Sequence, residues 1–580
     1  MDNANIIRVL RETAALLEIQ GANPFRIRAY RNAVHTLQDQ TVPLARRLEE
    51  GEDLTALDGI GKEMARHIAE VVETGELTLH EDLLAEIPRG VLEVRELSGV
   101  GPKKAARLWR ELGVTDLPSL EAAAQDGKVG KLSGFGLKSE AKILDALEKN
   151  RRHRGRFRLA DADAMVEPLL AFLRTFDGLE RVEAAGSLRR RKDTVGDIDL
   201  LAITQGGGGP LIEHFVAYGE VESVAMAGDT RASVTLKSGL SVDLRVLQRE
   251  NYGAALVYFT GSKEHNVKLR QRAVERGLKV SEYGVFRQEE EERPTDGERI
   301  GGAEEREIYQ ALDLVWIPPE LREDRGELKR AAEGELPRLL EPGDLKGDLH
   351  MHSTWSDGSV SLAEMVAACA ERGYDYMAIA DHSASIPIVT GMDGEKLRRQ
   401  WKEIDEIESS DPGIRVLKSM EVDILEDGSL DLDEESLALL DLVIASVHGQ
   451  FDLPRAVQTR RLIKALSHPQ VNILGHATAR SIPKRPPMEL DLDEVLRCAA
   501  EHRVAVEINS RPRRLDLPDV HVLRAKELGV KMVISTDAHR PTHLDLISYG
   551  VEQARRAWLG PDDVLTTRSA DALLKALEKS

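Results

Sequence analysis

The sequence is poor in cysteine and has neither a long apolar run nor a leader-like N-terminus. Two thiols as separated as Cys369 and Cys498 cannot form a cysteine-based zinc site, and they suit a reducing cytoplasm. No apolar run approaches the roughly 20 residues that a membrane helix needs. Residues 1–5 lack the basic and apolar regions of a signal peptide. We therefore expect a cytoplasmic protein with no membrane partner.

The length of the chain indicates the number of its domains, and its charge limits how it can bind nucleic acid. Its 580 residues correspond to roughly three to five domains. The net charge of −21 argues against nucleic-acid binding, yet residues 149–158 hold six Lys or Arg and no acid, and residues 189–192 are all basic. A local basic surface matters more for DNA binding than the global sum. Any DNA binding should therefore be local and sensitive to salt.

A short glycine motif occurs three times in the N-terminal part, where residues 3–150 have a helical pattern. It spans residues 57–61, 97–101 and 132–136, and a helical stretch with a lysine follows each copy. Its two glycines allow a tight hairpin whose N–H groups, at a helix N-terminus, can hold a DNA phosphate without reading sequence. The pattern is typical of helix-hairpin-helix DNA binding. The predicted DNA contacts are Gly59, Gly61, Gly99, Gly101, Gly134 and Gly136.

Two aspartates, Asp197 and Asp199, alternate with apolar residues in a strand pattern. Alternate strand residues face the same way, so both carboxylates point at one spot and need a cation such as magnesium or manganese. The Gly186-Ser187 turn and the basic residues 189–192 suit phosphate binding. A third acid, Asp243, lies in another strand pattern and can complete a two-metal site. Together these residues indicate phosphoryl or nucleotidyl transfer.

These acids, the Gly186-Ser187 turn and residues 258–262 closely resemble family X DNA polymerases. The resemblance implies that the three acids are catalytic and bind magnesium or manganese. It also implies that primed or gapped DNA and deoxynucleoside triphosphates are the substrates, and that Arg245 contacts DNA. Nucleotide contacts are implied for Gly186, Ser187, Arg190, Gly196, Tyr258, Phe259, Gly261, Asn266 and Arg270. Lyase-competent members have a nucleophilic lysine where this chain has His67, so we expect little or no 5′-deoxyribose phosphate lyase activity.

From residue 345 onward, apolar strand patterns alternate with helical ones, as in βα units around a parallel sheet. Reactive groups of such barrels gather at the carboxyl ends of the strands. The predicted ligands there are His350, His352, Asp357, His382, Glu421, His448, His476, Asp537 and His539. Imidazole mixed with carboxylate suits manganese, zinc or iron, and so many ligands imply two or three ions that activate water for phosphoester hydrolysis.

This ligand set resembles the PHP (polymerase and histidinol phosphatase) domain, whose His-x-His, Asp-His, Glu and Asp-x-His elements are all present. The whole chain thus resembles a bacterial family X DNA polymerase with a C-terminal PHP domain. The resemblance implies a monomer at the nucleoid that fills short gaps in base excision repair and removes nucleotides or blocked ends from a 3′ terminus. The resemblance does not decide whether the same metal site also cleaves DNA at abasic sites. Several arginines follow barrel strands, and they could either contact the DNA backbone or be solvated loop residues. They are Arg480, Arg511, Arg513 and Arg514.

The expected fold is multidomain. It comprises an all-α helix-hairpin-helix region, an α+β nucleotidyltransferase palm with a thumb, and a distorted α/β PHP barrel of about seven βα units. The expected domains are helical 1–90, fingers-type helical 91–155, palm 156–250, nucleotide-selecting thumb 251–318, linker 319–344 and PHP barrel 345–580.

Two other functions stay open. The Gly-Ser and Asp-x-Asp pattern is shared by nucleotidyltransferases that act on RNA or on a small molecule. A DNA-end-binding scaffold with inactive sites would also keep the hairpins. The three hairpin motifs and residues 258–262 argue against the first alternative, and the complete ligand sets argue against the second.

Overall fold

The computed structural model describes residues 3–38, 44–49, 52–57, 59–97, 99–153, 155–287, 297–385 and 391–579. The chain forms two compact units, residues 1–154 and 155–580. Across the described ranges, none of the helices has both the length and the apolar surface to cross a bilayer. Asp58 and Ser98 of the glycine motifs, Arg154, and the side chains of residues 149–153 lie outside the described part.

The first unit is built from helices. They are α1 (Asn3–Gln20), α2 (Pro24–Gln38), α3 (Leu44–Glu49), α4 (Lys62–Thr74), α5 (Thr78–Glu86), α6 (Gly90–Glu96), α7 (Pro102–Leu112), α8 (Leu117–Gln125) and α9 (Leu137–His153). Residues spaced three or four apart on α1, such as Ile6, Leu10, Ala14 and Leu17, are buried in one core. This packing fixes the turns between the helices, where the glycine motifs lie.

The second unit begins with a five-stranded sheet of order β2-β4-β7-β6-β5, in which β4 and β7 are parallel neighbours. Its strands, with the small β1–β3 pair, are β1 (Phe157–Arg158), β2 (Leu179–Ala184), β3 (Thr194–Val195), β4 (Asp197–Thr204), β5 (Val221–Ala227), β6 (Arg231–Leu236) and β7 (Ser241–Val246). The accompanying helices are α10 (Leu159–Leu173), α11 (Gly186–Arg189) and α12 (Gly209–Val216). Alternate residues of β6 are buried, as expected for a sheet with one face on the core.

The next part of the chain, predicted to be the thumb and its linker, combines helices with a small antiparallel sheet. It contains α13 (Tyr252–Thr260), α14 (Lys263–Val274), β8 (Leu278–Ser281), β9 (Gly284–Arg287), β10 (Arg299–Gly301), α15 (Glu305–Ala311) and α16 (Glu327–Glu333). Residues 319–344, expected as a linker, contribute Leu321, Ala331 and Leu339 to the thumb core. Arg322 in the same segment has no exposed surface. Residues from both halves of the expected linker are therefore packed into this core.

The rest of the chain, called the barrel domain below (residues 345–580), has seven parallel strands in sequence order. The strands are β11 (Gly347–Met351), β12 (Tyr376–Ile379), β13 (Arg415–Asp423), β14 (Leu442–Ser446), β15 (Ile473–Leu474), β16 (Ala505–Asn509) and β17 (Met532–Ser535). The helices are α17 (Leu362–Glu371), α18 (Gly394–Ser409), α19 (Glu434–Leu437), α20 (Arg455–Leu466), α21 (Leu492–Glu501), α22 (Asp519–Glu527), α23 (Ile547–Arg556) and α24 (Ala570–Leu577). Met351 pairs with Ala538 just beyond β17, so the sheet nearly closes. The predicted fold class is confirmed.

Candidate active sites

Three carboxylates meet on adjacent strands of the five-stranded sheet. Asp197 and Asp199 lie on β4, and the parallel register pairs Asp199 with Asp243 of β7. Ile198 between them is fully buried, so the alternation along β4 turns both carboxylates to the other side. The structure thus brings the three predicted acids together, and their catalytic and metal-binding roles stay predictions.

The three carboxylates are electrostatically unfavourable without a cation. Burial, followed by the charges of Asp197 and Asp243, raises the pKa of Asp199 to about 6. Arg231 Nη2 donates to Asp243 Oδ2 at 3.0 Å, and Ser233 Oγ donates to Asp243 Oδ1. Converging hard oxygen atoms of this kind fit a divalent cation, which the three aspartates would hold.

Gly186 brings the backbone close to these acids. Its φ is 64°, and a Cβ there would lie 3.2 Å from Asp199 Oδ2, so glycine suits both the left-handed backbone and the close approach. Gly186 and Ser187 begin the short helix α11. Gly196 is similarly crowded, since a Cβ there would lie 3.3 Å from Arg156 Nη1. The turn predicted to hold phosphate therefore lies against the carboxylates.

Arg190, predicted to contact the nucleotide, is engaged inside the protein. Its Nε donates to Glu323 Oε1 at 3.0 Å, and its Nη1 donates to the carbonyl oxygen of Thr260. Its neighbour Arg189 pairs with Glu305 at 2.7 Å. Two of the five N–H donors of Arg190 are therefore engaged inside the protein, which the sequence did not indicate.

A small cleft opens at the end of α13. It is lined by Ala254, Val257, Tyr258, Asn266, Leu269, Arg270, Val280 and Ser281. Asn266 Nδ2 donates to the Tyr258 carbonyl oxygen at 2.7 Å, which fixes the amide beside the aromatic ring. Phe259 packs edge-on against Tyr258 with ring centroids 5.1 Å apart, and Gly261 ends the helix. The structure thus places Tyr258, Asn266 and Arg270 in one cleft, with Phe259 and Gly261 beside it.

Arg245 connects the strand of Asp243 to this cleft. Its guanidinium carbon lies 4.5 Å from the centroid of the Phe259 ring, within the range of a cation–π contact. Its charge also lowers the pKa of Asp199, against the larger effects of burial and of the neighbouring carboxylates. The contact of Arg245 with DNA stays a prediction.

The three glycine motifs share one backbone geometry in the first unit. The first glycine has a positive φ in each copy, of 72°, 82° and 77° at Gly59, Gly99 and Gly134. Among the residues that the structure describes, a Cβ at the second glycine would meet no atom within 4 Å in any copy, namely at Gly61, Gly101 and Gly136. The N-termini of α4, α7 and α9 are therefore open, as binding of a backbone phosphate requires.

His67 on α4, predicted to stand where lyase-competent relatives have a lysine, is buried. Its Nδ1 lies 2.8 Å from Tyr30 Oη, and its Nε2 lies 2.9 Å from Arg66 Nη2. Burial, and then the charge of Arg66, lowers the pKa of His67. An imidazole cannot form a Schiff base with a deoxyribose aldehyde, so the expected weakness of lyase activity stays a prediction.

The predicted ligands of the barrel domain converge at the carboxyl ends of its strands. Three groups of side chains have ligand atoms within 4.8 Å of one another. They are His352, Asp357, His382 and His539, then His350, His352 and Asp537, and then His382, Glu421 and His448. His476 joins the cluster through its Nε2, which lies 2.8 Å from Glu421 Oε1. All of the predicted ligands therefore lie in one cluster, and the ions they would bind stay a prediction.

Buried ring nitrogens without hydrogen-bond partners in the described part of the chain fit metal binding in this cluster, while the pKa shifts of its ligands differ from one residue to the next. Among the described residues, both ring nitrogens of His352 and Nε2 of His350 have no hydrogen-bond partner, although both side chains are fully buried. Burial, and then His539 and His382, hold the pKa of His352 well below its usual value. Burial raises the pKa of Glu421, but the surrounding histidines outweigh it and hold this pKa well below its usual value. Neutral imidazole and ionised carboxylate are the forms that bind metal ions, and the pKa shifts of His352 and Glu421 favour these forms. His350 differs: burial lowers its pKa, but the charges of Glu421 and Glu507 outweigh burial and hold this pKa well above its usual value, so a metal ion there would have to displace a proton.

Glu507 on β16 orients two of these ligands, and it was not among the predicted site residues. Its Oε1 lies 2.7 Å from His350 Nδ1, and its Oε2 accepts a hydrogen bond from the backbone N–H of His476 at 2.8 Å. Its signal in the sequence was the strand end at residues 507–509. Sequence spacing could not show whether such an acid binds a metal directly or holds a ligand in place.

We expect Glu507→Gln to lower the metal affinity of the barrel cluster about 10–100-fold, because the carboxylate that orients His350 is lost. The metal content after dialysis against a competing chelator, together with the rate of 3′ degradation, measures this. Primer extension should not change. Glu501→Gln, at an exposed acid of the same domain, is the control. If the Glu507→Gln variant kept its full metal content and its full rate of degradation, Glu507 would contribute only to packing.

Three of the four arginines that follow barrel strands have partners. Arg480 donates to two backbone carbonyls of the loop after β16. It also donates, at 3.0 Å, to Asp193, the residue before β3. Arg511 and Arg514 pair with the ligand candidate Asp537 at 3.3 and 3.5 Å. These two arginines place positive charge at the cluster, where a phosphodiester would need it.

Family models match four segments of the chain. They are a helix-hairpin-helix domain at residues 1–77, a SAM-like helix-hairpin-helix tandem at 91–149, a DNA polymerase beta thumb at 255–323 and a PHP domain at 348–511. The kinds and order of these domains agree with those predicted.

Curated relatives match the whole chain or parts of it. The DNA polymerase/3'-5' exonuclease PolX of Bacillus subtilis (strain 168) is 40% identical over 580 residues, which cover 99% of this chain and 100% of the relative. DNA polymerase lambda of Rattus norvegicus is 23% identical over 343 residues, 55% of this chain and 56% of that protein. A probable phosphatase of Thermoanaerobacter sp. (strain X514) is 29% identical over 233 residues, 38% of this chain and 89% of the relative.

Proposed function

Because this chain belongs to the bacterial family X DNA polymerases that carry a PHP domain, we propose that it extends primers across short gaps during DNA repair and degrades DNA from the 3′ end. The observation that carries the proposal is the presence of two complete ligand sets in one chain. One is the acid triad on β4 and β7, and the other is the cluster at the barrel strand ends. The proposed substrates are gapped or primed DNA and deoxynucleoside triphosphates.

For synthesis, Asp197, Asp199 and Asp243 would hold magnesium or manganese, which when bound lowers the pKa of the primer hydroxyl and stabilises the departing pyrophosphate. The chain itself mainly positions the reactants. The turn at residues 186–187 presents backbone N–H groups beside the acids for the triphosphate. The cleft at Tyr258 offers an aromatic wall and two polar side chains to the nascent base pair.

For degradation, the barrel cluster would hold manganese, zinc or iron ions, which when bound supply an activated water for phosphodiester cleavage. Arg511 and Arg514 can hold the phosphodiester beside Asp537. Glu507 keeps His350 oriented. The open helix N-termini of the first unit supply a grip on the DNA backbone that is independent of sequence. We further propose that the protein acts as a monomer at the nucleoid in the cytoplasm.

A labelled primer in a gapped duplex tests this proposal, with each deoxynucleoside triphosphate supplied alone. We expect addition of the complementary nucleotide only and, without nucleotides, shortening of the primer from its 3′ end. A chelator should stop both reactions, and added metal should restore them. Addition that ignores the template would instead favour a nucleotidyltransferase on RNA or a small molecule. Absence of both reactions would favour a DNA-end-binding scaffold.

A further inference from the structure

The loop that carries the nucleotide-binding arginine is anchored to the barrel domain. We term residues 189–193 the phosphate loop. Its Arg191 pairs with Glu552 of the barrel domain at 2.9 Å. Its Asp193 accepts a hydrogen bond from Arg480 of the same domain at 3.0 Å. A domain assigned to DNA degradation therefore supports a loop assigned to DNA synthesis.

Arg556, the last residue of α23, makes the contact nearest to Arg190. Its side chain is 1% exposed. Its Nη1 donates to the Arg190 carbonyl oxygen at 2.6 Å and to Glu323 Oε1 at 3.1 Å, and its Nη2 donates to Asp519 Oδ2 at 2.6 Å. One buried guanidinium thus joins the phosphate loop, the thumb segment and the barrel domain.

Glu323 extends this contact to the Arg190 side chain. Its Oε1 accepts from Arg190 Nε as well as from Arg556, and Lys192 Nζ lies 3.7 Å from its Oε2. Burial raises the pKa of Glu323, but Arg556, Arg190 and Lys192 outweigh it and hold this pKa below its usual value. An ionised carboxylate therefore lies between two guanidinium groups. The planar fork of arginine can reach three acceptors at once, which the single nitrogen of lysine cannot do in this geometry.

We propose that Arg556 of the barrel domain is a positioning residue for nucleotide binding at the polymerase site. By holding the Arg190 carbonyl oxygen and Glu323, it sets both the backbone of the phosphate loop and the direction of the Arg190 guanidinium. The proposal rests on the proposed polymerase function, and it adds that nucleotide affinity depends on a residue of the other catalytic domain. Arg556 is not among the ligand candidates of the barrel, so degradation should not depend on it.

The test compares Arg556→Met and Arg556→Lys with Arg555→Met. Arg555 is a matched control because it also joins α23 to the thumb, through Glu320 at 2.8 Å, and its other polar contact within the described residues is the Leu340 carbonyl oxygen. For each variant, KM and kcat for the complementary nucleotide are measured on a gapped duplex. The rate of 3′ degradation without nucleotides and the thermal midpoint are measured on the same preparations.

We expect Arg556→Met to raise KM about tenfold with kcat within about twofold of wild type, the loss expected from one charge-assisted contact that orients a binding group. Arg556→Lys should recover part of this loss. Arg555→Met should keep the wild-type KM, and all variants should degrade DNA at the wild-type rate. An unchanged KM in Arg556→Met, or an equal rise in Arg555→Met, overturns the proposal. A wild-type protein without templated synthesis would instead refute the polymerase function itself.

The Arg556→Met substitution removes one of the arginine partners of the buried Asp519 carboxylate. This loss lowers the stability of the fold if the remaining partner does not compensate for it. If its thermal midpoint falls, the double variant Arg556→Met/Asp519→Asn removes that buried charge and is measured in the same way. A raised KM in the folded double variant supports the positioning role. A wild-type KM there overturns it.

Discussion

Replacing Asp197 with alanine is expected to reduce primer extension by about 10³-fold or more while 3′ degradation continues at the wild-type rate. Asp197 stands two residues before Asp199 on the same face of β4, and Asp199 is paired in register with Asp243. Removing one carboxylate leaves too few oxygen ligands to neutralise the primer hydroxyl and the triphosphate together. The degradative cluster lies on a different sheet, at the strand ends of the barrel domain.

Both activities are read from one labelled primer in a gapped duplex, with and without nucleotides. The matched control is Asp229→Ala, at an exposed aspartate in the turn between β5 and β6 of the same sheet. It should retain both activities. If Asp197→Ala extended primers as well as this control does, the assignment of the synthetic site to β4 and β7 would be wrong.

Replacing His350 with alanine is expected to have the opposite effect. We expect 3′ degradation to fall on the order of 10²- to 10³-fold, together with the metal content of the barrel cluster, while primer extension is retained. His350 is fully buried, with Nδ1 on Glu507 and Nε2 3.3 Å from Glu421 Oε2. Its loss removes a candidate ligand and leaves Glu507 without the imidazole that it orients.

Metal content and degradation are measured on the same preparation, and retained primer extension shows that the chain is folded. His468→Ala is the control, since His468 lies in the barrel domain outside the cluster and contacts Glu434. If the His350→Ala protein kept its metal content and its rate of degradation, the assignment of degradation to the barrel cluster would be wrong. Loss of both activities together would indicate unfolding and would call for the milder Glu507→Gln variant.

Local geometry made much of the protein predictable. The two-residue period of a strand was enough to place Asp197 and Asp199 on one face. A glycine pair before a helix was enough to predict the hairpins, because a positive φ at Gly59, Gly99 and Gly134 is a property of the local backbone. The recurrence of His, Asp and Glu at barrel strand ends predicted one cluster, since parallel strands end at the same edge. The family and the fold class are confirmed, and the bounds of the domains stay predictions.

Partner choice among charged side chains could not be predicted in this way. The sequence assigned Arg190 to a triphosphate, but the structure engages its guanidinium with Glu323 and Thr260. The sequence left the arginines after the barrel strands as DNA guides or solvated residues, whereas Arg511 and Arg514 pair with Asp537. An ion pair depends on which distant segments meet and on how deeply they are buried.

By itself, then, the sequence determined the family and the fold class, and it predicted the chemistry of the two sites from residue type and short-range period. Only the tertiary structure decided how the sites are supported. Glu507 orients a ligand from a neighbouring strand, and Arg556 reaches from the barrel domain to the loop of Arg190, which lies 366 positions earlier in the sequence. Such contacts join residues that have no local relation, so they arise only when the packed domains bring them together.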